Sequence, residues 1–140
     1  MPVLLKGRKM PLTLVEANTL WQAVVGEMGC TDDLVTVVVV KKEEARKLNK
    51  QYRGLDRATN VLTFSYDEGE HDVALCDQIA KEEAKEHGMS WRDYMAWLLV
   101  HAFLHAAGMD HERSLTEAEL TRERERNILQ QCGYKAVLSE

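Results

Sequence analysis

Residues 91–107 are apolar on every side of a helix: Tyr94, Met95, Trp97, Leu98, Leu99, Val100, Phe103 and Leu104 leave no continuous polar face. Ser90 supplies an N-cap, and Gly108 supplies a residue able to leave the helix in a left-handed conformation. A helix of this kind, about 25 Å long at the usual rise, is a central and largely buried element. No apolar run in the chain reaches the ~20 residues that a helical membrane span needs, so the burial must be inside a protein core and no membrane partner is expected.

The rest of the sequence reads as material packed around that helix. Apolar positions recur at helical spacing over 14–28 and stop at Gly29. The β-branched run 34–40 reads as a strand buried on both faces. Residues 42–52 read as an amphipathic helix closed by Gly54, 60–66 as a second strand, and 67–72 as a polar turn. Weaker signals give a short strand at 3–5, another at 73–79, a helix over 80–87 and a final, mostly polar helix over 116–131. With 140 residues, 45% of them hydrophobic, one core suffices. The expectation is a single domain over 1–140 of the α+β class: a small mixed sheet of three or four strands packed with about five helices, carrying its functional site on the central helix.

Cys30, Cys76 and Cys132 are odd in number and widely spaced, which fits buried thiols in a reducing compartment rather than a disulfide scaffold. No apolar signal core follows Lys6, Arg8 and Lys9, so a cytoplasmic protein is expected. The net charge of −5 argues against a chain that coats nucleic acid indiscriminately. Between Lys41 and Arg57, however, seven basic side chains face three acidic ones, a local cationic stretch that can admit one polyanion along one path or simply form a solvated helix face.

The chemistry sits on the apolar helix. His101 and His105 are one helical repeat apart, about 40° around the axis, so both imidazoles project from one face. Gly108 allows the chain to turn, and three residues later His111 can return to the same point. The pattern His-x3-His-x2-Gly-x2-His offers three imidazoles and an open fourth position, the donor set of a catalytic zinc site. One Zn²⁺ per chain is the expected cofactor, although Ni²⁺ or another divalent transition metal would also be accepted. The spacing occurs in metzincin peptidases, where a glutamate general base follows the first histidine; here that residue is Ala102. Asp110 and Glu112 flank His111; either can orient an imidazole from behind or cap the turn, and Asp110 is the favoured orienting group. His71 and His87 read as surface residues.

A second motif joins helix to strand: Leu48-Asn49, Tyr52-Arg53, Asp56 and Thr59-Asn60-Val61-Leu62-Thr63-Phe64. Together with the histidine motif it resembles the YbeY family of bacterial endoribonucleases. That resemblance implies zinc-dependent hydrolysis of single-stranded RNA, with roles in 16S ribosomal RNA 3′-end maturation and ribosome quality control, and the small ribosomal subunit and its assembly factors as partners. It implies His101, His105 and His111 as ligands, His101 and Arg53 as catalytic residues, and a substrate path over Arg53, Lys50 and Arg57. A guanidinium suits this task because it clamps phosphate oxygens. Asp56, Thr59 and Asn60 are expected to shape the loop. Ala102 and Met109 depart modestly from the family's usual glycine and aromatic. Leu75-Cys76-Asp77-Gln78-Ile79 departs more, where the family reads Leu-Gly-Asp-Ile-x-Ile, and the segment is expected to form an edge of the cleft. Two other readings stand beside this one: a metal-dependent hydrolase of another bond, and a ribosome-associated binding factor with a structural metal.

Overall fold

The computed structural model describes residues 1–66, 69–108 and 115–136. Its frame is a four-stranded mixed sheet of order β1-β2-β4-β3. β2 (Leu34–Val40) lies at the centre between two parallel neighbours, β1 (Val3–Gly7) and β4 (Glu70–Cys76), while β3 (Val61–Tyr66) runs antiparallel to β4 and forms an edge. The register places Val3, Val35 and His71 in one row and Leu5, Val37 and Val73 in the next, so one face of the sheet is apolar. At the other edge, the buried amide of Asn18 satisfies both backbone groups of Val3, at 2.9 and 3.1 Å.

Onto the apolar face pack α1 (Leu14–Met28) and α4 (Trp91–Ala106), with α3 (Asp77–Glu86) and α5 (Leu115–Gln131) against α4. Thr13 and Glu16 start α1 with a reciprocal capping box, and Ser90 caps α4 through the Asp93 N–H. Met95, Ala96, Leu99, Val100, Phe103 and Leu104 of α4 are wholly buried, and Phe103 meets Trp21 of α1 edge-on at 5.3 Å. α2 (Lys42–Arg53) lies on the opposite face of the sheet and buries only Ala45 and Asn49, so that face stays partly open. This α+β arrangement, with a four-stranded mixed sheet and five helices among the described residues, agrees with the expected class.

Three local expectations change. β2 is buried on one face only, with Val35, Val37 and Val39 inside and the alternate residues half-exposed. The strand expected at 73–79 starts at Glu70 and ends at Cys76, because β4 pairs with β2 from Leu34 opposite Glu70 to Val40 opposite Cys76. Backbone pairing overrides the polar composition of its first turn: Glu70 and Asp72 face outward while His71 faces in. β4 is therefore interior, and the edge belongs to β3. Cys76 is buried at the strand end, its N–H donating to the Asn60 carbonyl, and Gln78 accepts from the Lys42 N–H at the start of α2. Burial pushes all three cysteine thiols up from their ordinary value, which suits packing rather than redox chemistry.

His71 is the third correction, since it is 7% exposed rather than a surface residue. Its Nδ1 meets Ser65 Oγ at 2.9 Å and its Nε2 meets Asp33 Oδ2 at 2.8 Å, tying the α1–β2 connection to β3. The Thr31 hydroxyl, and after it His71, hold the Asp33 carboxyl below the ordinary carboxylate range. A depressed acid stabilises the fold above its unfolded-state pKa and loses that contribution as pH falls through the folded value. Asp33→Asn should therefore lower the melting temperature by about 2–4 °C at neutral pH. The gap to the parent chain should narrow as pH drops below the ordinary carboxylate range; a gap that is constant with pH in thermal unfolding would refute this.

Candidate active site

α4 brings His101 and His105 to one side, with ring centroids 5.0 Å apart and planes inclined by 63°. Both are half-buried and line the same cavity. Behind them stands Glu125 of α5, its side chain 5% exposed. Its carboxylate accepts from His101 Nδ1 at 2.5 Å and from the Trp97 indole N–H at 3.0 Å. A carboxylate can only accept, so Nδ1 carries the hydrogen and, in the neutral ring, the lone pair belongs to Nε2. That is the tautomer a metal-binding imidazole needs. Two directed donors also explain how a carboxylate tolerates this depth.

Glu125 was not among the expected site residues. Its signal was present, because Thr121, Glu125, Ile128 and Leu129 share one face of an otherwise polar helix and all four are buried. An acid in the apolar stripe of α5 asks for a buried partner. Asp110 and His111, the other expected orienting and ligating residues, lie outside the described residues. Gly108 has φ of 106°, the conformation expected of it at the end of α4.

Facing the histidines across a cavity of about 550 Å³ are the β3 edge and the last turn of α2. Gly54, at φ 72°, stops α2 so that Tyr52 and Arg53 stand at the rim. Asn49, 1% exposed, then holds the following loop by donating from Nδ2 to the Arg57 carbonyl at 2.8 Å. Arg46 and Asp56 pair across the same loop, and Asn60 donates to Glu83, which also accepts from the Tyr94 hydroxyl. Thr59 lines the cavity itself.

Arg53, His101 and His105 thus share one cavity, whose described lining contains no carboxylate. Lys50 and Arg57 do not line it; Lys50 sits in a separate shallow groove with Arg46 and Lys47. Ala102 is wholly buried in the core, so the position that holds the general base in metzincin peptidases does not face this cleft. An open, cationic, imidazole-bearing cleft is suited to an anionic ester.

A sequence profile described as Endoribonuclease YbeY matches residues 11–133, from the approach to α1 to the end of α5. The chain belongs to the YbeY family. Among curated members named Endoribonuclease YbeY, that of Aromatoleum aromaticum is 44% identical over 106 residues, covering 74% of this chain and 68% of the relative. The Delftia acidovorans member is 41% identical over 74% of this chain and 70% of its own length. In fold, the chain is similar to the solution structure of TM1509 from Thermotoga maritima, with a TM-score of 0.64 and 29% identity, covering 92% of this chain and 90% of the other. The matched region holds every cleft element just described.

Glu125→Ala would leave two donors, on His101 and Trp97, without their acceptor. At about 1–3 kcal/mol for each unsatisfied group, urea unfolding of the chelated chain should show a loss of about 2–6 kcal/mol. A loss below about 0.5 kcal/mol would show that the carboxylate is dispensable to the fold.

Proposed function

We propose that this chain is a zinc-dependent endoribonuclease specific for single-stranded RNA, with His101, His105 and His111 holding one Zn²⁺ and Arg53 binding the phosphate beside the bond to be cut. The observation that carries the reading is the shared cavity: two imidazoles on one wall, a guanidinium at the rim, and no carboxylate in the described lining. The donor set suits a nitrogen-seeking transition ion, since one imidazole has its Nδ1 committed to a buried carboxylate. His111 enters on sequence spacing alone.

Zinc, when bound, would supply Lewis-acid activation of water and polarisation of a phosphoryl oxygen. The protein's own residues do the rest. Arg53 pairs with non-bridging phosphate oxygens and neutralises charge that grows as the bond is cut. Glu125 keeps the His101 ring from turning. The β3 edge and Trp97 wall the cleft. Family membership supports ribosomal RNA as the substrate, with 16S 3′-end maturation and ribosome quality control in the cytoplasm as the setting. Ala102, buried away from the cleft, disfavours peptide hydrolysis by the metzincin route.

The test is cleavage of an unstructured RNA by metal-replete protein, beside a chelated sample and His105→Ala. Chelation should abolish cleavage and restored zinc should return it. Calorimetry should find one zinc per chain, and His105→Ala should lose that binding together with activity. Arg53→Ala should lower kcat by about 10²–10³-fold while zinc stoichiometry holds. A folded chain that carries one tightly bound zinc and leaves RNA intact, or that cuts peptides instead, would overturn the proposal.

A further inference from the structure

Two cavities meet at one pair of rings. Tyr52 and Phe64 line the cleft and also a second groove, of about 360 Å³, on the outer face of the sheet beside α2. Their rings lie 4.8 Å apart, inclined by 57°. Beyond them the groove reaches Tyr66, two residues along β3 from Phe64 and so on the same face of the sheet. Tyr52 is 58% exposed and Tyr66 54%, because α2 buries only Ala45 and Asn49 and leaves this aromatic row uncovered.

Charge meets the row at one end. Arg53, next to Tyr52 in sequence, is exposed, lines the cleft and is in no ion pair among the described residues, whereas Lys47 and Lys50 line a separate pocket on α2 with Glu43, Arg46 and Asp56. Glu44 and Asp72 also line the groove, and Asp72 accepts from the Tyr66 hydroxyl at 3.0 Å. Two carboxylates repel phosphate but tolerate a neutral ring. The groove therefore suits the uncharged faces of a polymer whose charged backbone stays with Arg53 in the cleft.

We infer that the groove is a base-stacking subsite for single-stranded RNA, continuous with the cleft, in which one nucleobase lies against Tyr52 and Phe64 and a neighbour against Tyr66. This rests on the ribonuclease reading of the cleft and extends the bound strand beyond the scissile bond. Aromatic platforms hold single strands with little sequence preference, since every base has a face to stack.

The experiment compares a 12-nucleotide and a 3-nucleotide 2′-O-methyl RNA by fluorescence anisotropy, using the metal-replete full chain, with RNA integrity checked on a gel. In Tyr52→Ala and Tyr66→Ala the ratio of 12-mer to 3-mer affinity should fall about fivefold or more, and Tyr52→Phe should restore it. A single abasic nucleotide walked along the 12-mer should weaken wild-type binding by a similar factor at one or two positions and weaken Tyr52→Ala no further there. Equal losses for both RNAs, or a Tyr52→Ala/Tyr66→Ala chain that binds the 12-mer like wild type, would overturn the subsite. So would self-association of the wild-type chain in sedimentation that the double variant abolishes, which would make the groove a contact between copies. A wild-type chain that binds neither RNA would instead remove the ribonuclease reading, and the subsite with it.

Discussion

Everything in this fold follows from the need to bury α4 on nearly all sides while keeping two of its imidazoles accessible. The sheet covers one flank with Val35, Val37, Val73 and Leu75, and α1, α3 and α5 cover the others. What remains is the strip carrying Trp97, His101 and His105. A strip left open on a buried helix is rigid by construction, because moving either histidine would mean moving Met95, Leu99 and Phe103 inside a close-packed core. The site thus inherits its precision from packing that has no chemical role of its own.

The opposite wall is built by different means. β3 is an edge strand, and its backbone runs along the cavity instead of pairing with a further strand among the described residues. The loop before it is held by Asn49, by the Arg46–Asp56 pair and by Asn60 on Glu83. One wall is fixed by apolar burial and the other by polar clasps. Exposed strand edges invite pairing with other chains, and placing this one inside a charged cleft restricts what can approach it.

How much of this could be read from the residues depends on the kind of interaction involved. Periodicity located α1, α2, α4 and β2 because each is decided by its own apolar pattern, and Gly108 could be read because one backbone conformation favours glycine so strongly. The start of β4 could not, since Glu70 to Asp72 become a strand by pairing, with β3 on one side and on the other with β2, a partner more than thirty positions away in the chain. His71 and Glu125 escaped for a related reason. A polar residue inside an apolar stripe is ambiguous until its partner is known, and Asp33 and His101 come from other elements.

The bond between Glu125 and Trp97 has a consequence of another sort. One carboxylate serves the indole and the imidazole together, so a rotation of His101 alters the electrostatic surroundings of the Trp97 ring, which also lines the cavity. Indole emission responds to the field and solvent around it. Of the chain's three indoles only Trp97 lines this cavity, so with Trp21 and Trp91 replaced its emission would let events in the pocket be followed by light without attaching a label.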